Sequence, residues 1–162
     1  MKLYLVRHGI AEPHNVTPDE KRALTPEGRL KIRQAAEGLR RLGIKFDLIL
    51  TSPLTRARQT AEIVAAELGQ TKITEMRELV GDVDPKITVE ALKPYQKIES
   101  LALVGHNPHL EGLLALLIAG SDRGANISLK KGGVARLDAE LSDTRIKAAL
   151  TWLATPKLLR GS

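Results

Sequence analysis

The 162-residue chain predicts an α/β fold, a three-layer sandwich. Helices are expected to flank a mixed, mostly parallel sheet that ends in a C-terminal antiparallel hairpin. Three observations predict it. Short, nearly continuous apolar runs recur at residues 2–6, 46–50 and 101–104, as in strands buried on both faces. Amphipathic helical patterns lie between them. Residues 134–140 and 145–153 alternate apolar and polar with period two, as in a half-exposed hairpin.

The elements follow in order. After the first strand, Ile32, Ala35, Leu39 and Leu42 recur at helix spacing, with Thr25-Pro26-Glu27 as the start and Gly43 as the stop. After the second strand, Ala57, Ala61, Val64, Ala65 and Leu68 predict a helix opened by Ser52-Pro53 and closed by Gly69. Residues 80–98 read as a loop with a short helix at 88–92. The third strand leads to Leu110, Leu113, Leu114, Leu117 and Ile118, a helix between Pro108 and Gly120. Residues 121–133 read as a loop, the hairpin turns at Leu141-Ser142-Asp143-Thr144, and the tail 156–162 is expected to fray.

Composition bounds the function. With 43% hydrophobic and 27% charged residues, residues 1–162 suit one globular domain. The longest apolar stretch, 113–119, is far short of the roughly 20 residues of a bilayer span. Arg7-His8 breaks the apolar opening, so no cleavable signal peptide is read and a cytoplasmic location is expected. Zero Cys excludes disulfides, thiolate zinc sites and a Cys nucleophile. The net charge of +6 favours phosphorylated, nucleic-acid or acidic partners. Nucleic acid is discounted, because Tyr4, Phe46, Tyr95 and Trp152 are scattered and form no stacking platform.

Each apolar run ends in unusual polar residues: Arg7-His8-Gly9, then Thr51-Ser52-Pro53 with Arg56 one helical turn on, then Gly105-His106-Asn107-Pro108. In open α/β sheets the carboxyl ends of the strands form the ligand crevice. If the three strands are neighbours, two guanidiniums and two imidazoles meet at one rim. Arg forks match phosphate oxygens, and helix N-termini attract anions. No Walker-type loop and no carboxylate set for Mg²⁺ accompany them, so a nucleotide-triphosphate mechanism is disfavoured. Nucleophile candidates are His8, Ser52, Thr51 and water. A His among cations stays neutral at pH 7 and can attack phosphorus.

These motifs resemble the histidine phosphatase (phosphoglycerate-mutase-like, RHG) superfamily. The matching pieces are Leu5-Val6-Arg7-His8-Gly9, Leu24-Thr25-Pro26-Glu27-Gly28, the run from Ser52 to Ala61, and Val104-Gly105-His106-Asn107. Length and the first and last motifs look most like the small SixA-type branch, described as protein phosphohistidine phosphatases. The resemblance implies that His8 is the phosphorylated nucleophile, that Arg7, Arg56 and His106 bind the phosphoryl group, and that no metal or other cofactor is needed. Larger members carry an acidic proton donor on an inserted segment. Here that region is short, leaving Glu78 and then Asp82 as candidate acids, or no acid at all. Mutase-type members carry an Asn six residues past the nucleophile. His14 stands there and Asn15 follows, so that role is not carried over. Asn15, Asn107 and Ser52 remain candidates for substrate contact, Ser52 reading first as a helix N-cap. His14 and His109 read as loop and helix-start residues.

The expected activity is hydrolysis of phosphohistidine on a protein partner. The alternatives are a phosphatase of a small phosphoester, such as a sugar phosphate or nucleotide, and a phosphate-binding module without turnover. The chain is expected to be a monomer or weak homo-oligomer, without nucleic-acid or membrane partners.

Overall fold

A computed structural model describes residues 1–161. Strands β1 (Lys2–Arg7), β2 (Leu48–Thr51), β3 (Ile73–Glu75), β4 (Ser100–Gly105), β5 (Val134–Leu141) and β6 (Ile146–Ala154) form one sheet. Its order is β3-β2-β4-β1-β5-β6. The first four strands run parallel; β5 pairs antiparallel with β1, and β6 antiparallel with β5. The three expected strands are therefore neighbours, with β4 between β2 and β1.

Alternation explains the continuous apolar runs. Leu3, Leu5, Leu50, Leu101 and Leu103 bury one face, beneath α3 (Pro85–Leu92) and α4 (His109–Ala119). Tyr4, Val6, Ile49, Ala102 and Val104 bury the other, beneath α1 (Pro26–Arg41) and α2 (Thr55–Glu67). A strand covered on both sides needs apolar residues at every position.

Four details depart from expectation. The second helix starts at Thr55 rather than at Ser52-Pro53, with Leu54 as its N-cap. Ser52 is therefore not the N-cap; its hydroxyl accepts from Leu54 N–H at 3.2 Å in the turn before the helix. The short edge strand β3 has no counterpart among the expected strands, and α3 begins at Pro85, three residues before the expected start. The expected fraying does not hold for Pro156–Arg160, which forms α5, capped by the Thr155 hydroxyl and packed on α1; Ser162 lies outside the described residues. Leu159 is buried there, and Arg41 donates to the Leu159 and Arg160 carbonyls.

Candidate active site

Parallel pairing sets the site. Arg7 is level with Gly105, and Thr51 with Val104, so the three polar strand ends emerge side by side. They open into a cleft of about 410 Å³ lined by Arg7, His8, Arg56, His106 and Asn107, with Asp19, Arg22 and Lys131 around them. His8, Arg56 and His106 are buried.

The matched motifs have local structural reasons. Thr25 caps α1 by accepting from Gly28 N–H at 3.0 Å, while its own N–H donates to the Ile10 carbonyl. Gly28 is required for this approach: a Cβ there would stand 2.2 Å from the Ile10 carbonyl oxygen. In the second run, Gln59 accepts from Leu24 N–H at 2.7 Å, and the Thr60 hydroxyl accepts from Gly9 N–H at 3.1 Å. The same hydroxyl donates to the Arg56 carbonyl. One helix therefore holds both the loop after His8 and the arginine beside it.

His8 Nδ1 lies 2.7 Å from the Gly9 carbonyl oxygen. A carbonyl can only accept, so Nδ1 carries the proton and Nε2 keeps its lone pair. Burial, partly countered by that hydrogen bond and reinforced by Arg56, Arg7 and Lys131, lowers the His8 pKa to about 4. The His106 ring stands 5.0 Å from that of His8, centroid to centroid. Burial, then His8 and Arg56, lower its pKa to about 3. Both rings are neutral at pH 7. His106 Nε2 lies 2.7 Å from the Ser52 hydroxyl, an oxygen that also accepts from Leu54 N–H.

The guanidiniums are anchored from behind. Arg7 donates to the Leu129 carbonyl at 3.0 Å, and Arg56 to the Asp19 carbonyl at 2.8 Å. Arg7 Nε, Arg56 Nε and His106 Nδ1 are buried without a partner among the described residues. Buried polar atoms in that state are costly unless a ligand meets them. Asn107 Nδ2 donates to Glu111 and to the Leu129 carbonyl, which fixes the loop that holds Arg7.

Asp19 is the one carboxylate among the described residues lining the cleft. It pairs with Arg22 at 2.9 Å and Arg56 at 3.5 Å. Burial disfavours its charge, but the two guanidiniums outweigh that and hold its pKa below the usual carboxylate value. Glu78, Asp82 and Asn15 do not line the cleft. Asp82 lines a neighbouring depression with His109, whose ring is buried against the Thr88 hydroxyl at 2.7 Å. His14 lies at the rim, 3.4 Å from Asp19. Sequence reasoning missed Asp19, Arg22, Thr60 and Lys131. Only Thr60 carried a signal, as the end of the run from Ser52.

Residues 3–83 match the histidine phosphatase superfamily (branch 1). The chain belongs to that superfamily. A relative in Picosynechococcus sp., itself uncharacterized, is 38% identical over 98% of this chain and 99% of its own. The fold is shared with the protein histidine phosphatase SixA solved with tungstate (TM-score 0.85, 24% identity, 96% of this chain and 97% of that one). It is shared also with the alpha-ribazole phosphatase of Shigella flexneri (TM-score 0.79, 21% identity, 96% and 97%). The chain spans 38% of the length of the 2,3-bisphosphoglycerate-dependent phosphoglycerate mutase of Brucella ovis, which matches at 35% identity over 47% of this chain. A sequence relative is thus a mutase, and the fold is shared with phosphatases.

Proposed function

We propose that the protein is a phosphohistidine phosphatase, acting on a histidine-phosphorylated protein through a covalent intermediate on His8. The observation that carries this is the His8 ring: neutral, its Nδ1–H committed to Gly9 and its Nε2 free, in a cleft shared with two guanidiniums. In the proposed reaction Nε2 attacks phosphorus, and the substrate's P–N bond breaks as its imidazole takes a proton from solvent. Arg7, Arg56 and His106 stabilise the equatorial oxygens. Water then cleaves the His8–phosphorus bond and releases inorganic phosphate.

Asp19 favours a phosphoramidate over an alkyl phosphoester. An alkoxide needs a proton donor, whereas an imidazole leaving group accepts its proton readily from water. The carboxylate in the cleft is held ionised by Arg22 and Arg56 and makes a poor donor.

The test is phosphate release from a histidine-phosphorylated protein, with chelator present, by wild type and His8→Ala. The variant is expected to lose at least ~10³-fold of the rate. An undiminished rate in His8→Ala refutes the covalent mechanism. The second reading, a small phosphoester substrate, draws on the fold shared with an alpha-ribazole phosphatase. It gains if a panel of sugar and nucleoside phosphates is hydrolysed and the phosphoprotein is not. Failure on both leaves a phosphate-binding module.

A further inference from the structure

Beside the cleft lies a second groove of about 670 Å³. Arg7 and Lys131 line both cavities, so the two adjoin. Beyond them the groove is bordered by Lys31 of α1, Lys130 of the loop before β5, and Lys157 and Arg160 of α5, over a floor that includes Ile10. No carboxylate is among its described lining residues; among the described residues, the ion pair made by these cations is that of Lys31 with Glu27, at 3.0 Å. The four outer cations are exposed. None takes part in the hydrogen bonding that anchors His8, Arg7 or Arg56.

Two backbone arrangements place this charge. Gly132 N–H donates to the Arg7 and His8 carbonyls, which lays the Lys130-Lys131 pair along the end of β1. α5 packs on α1 through Gly38, where a Cβ would stand 1.9 Å from the Leu159 carbonyl oxygen, and so brings Lys157 and Arg160 opposite Lys31.

We propose that this groove docks an acidic segment of the phosphorylated protein, beside the histidine presented to His8. The inference rests on the phosphohistidine reading above and names what that partner carries. Charge complementarity selects the occupant: cations of one sign on three separate elements, on flexible side chains, suit a surface of several carboxylates. A single compact phosphate would leave most of them unused.

The test uses two synthetic phosphohistidine peptides, one flanked by glutamates and one by serines. Their binding is read by fluorescence anisotropy and their turnover by phosphate release. The proteins are wild type and the variant Lys31→Gln/Lys130→Gln/Lys157→Gln/Arg160→Gln, with phosphoramidate as the small substrate. The expected result is a roughly tenfold preference of wild type for the acidic peptide, in Kd and KM, lost in the variant and at 0.5 M salt. Phosphoramidate turnover should match wild type, which shows that the variant is folded. Equal Kd for the two peptides in wild type, or a preference that survives in the variant, overturns the proposal. So does a single-stranded oligonucleotide of equal charge that binds tighter through the same four residues. Acid-dependent binding without phosphate release from either peptide supports the groove and defeats the phosphohistidine reading; release without a preference does the reverse.

Discussion

Burial acts on His8 more strongly than any single charge near it. The residue is 7% exposed, and losing water penalises the imidazolium. Arg56, Arg7 and Lys131 add to that penalty, and the Gly9 carbonyl offsets only part of it. The nucleophile candidate therefore stays neutral well below the usual histidine range. Ring resonances of His8 should titrate with a midpoint near pH 4, followed by NMR. In kcat/KM, which reports the free enzyme, the acid limb due to His8 should fall near that pH rather than near 6.5. A His8 midpoint above pH 6 would contradict this account of the cleft.

The helix α1 is built to be approached closely. Thr25 caps it, Gly28 admits the Ile10 carbonyl, and Gly38 admits Leu159. In an exposed helix, Gly→Ala would stabilise by about 1 kcal/mol. At Gly38 the added methyl meets backbone, which cannot rotate away. Gly38→Ala should instead cost ~1–3 kcal/mol, read as a lower urea midpoint at unchanged slope. Limited proteolysis of the variant should also cut the C-terminal segment faster, because α5 is what must move. A more stable Gly38→Ala would show that the α1–α5 contact is loose.

Across the molecule, acid should be the weak side of the stability curve. His8, His106 and His109 all have pKa values lowered by burial. Between pH 6.5 and 4 the unfolded chain takes up protons at His8 and His106 and the folded chain largely does not, and the lowered His109 pKa acts in the same direction. Stability therefore rises with pH through that window, by on the order of 3 kcal/mol for His8 alone. Asp19 acts in the same direction lower down, since its pKa is depressed and its contribution is lost as pH falls further. Urea midpoints should drop from pH 7 to pH 4.5, and a flat profile would contradict the neutral-histidine cleft.

Local chemistry makes much of this legible in the residues alone. The apolar runs announce doubly covered strands, because a face hidden on both sides leaves no room for alternation. Arg7, His8, Arg56 and His106 can be gathered from the polar residues that end those runs. Other features have no local signal. The strand β3 is three residues long and only half-buried, so no pattern marks it. α5 has five residues and is held by burial of Leu159 against α1, which composition does not announce.

Residue types and motif spacing are local properties, so the candidate side chains for phosphoryl chemistry can be picked out along the chain. Which of them meet follows from how the chain packs. Strand order set β4 between β1 and β2, and so put His106 beside His8. The fold kept Glu78 and Asp82 out of the cleft and supplied Asp19, Arg22 and Lys131 instead. It also named the Gly9 carbonyl as the acceptor for His8 Nδ1. The reason is physical: burial and long-range pairing belong to the whole packed chain, and they determine which nitrogen is free and which charge is near.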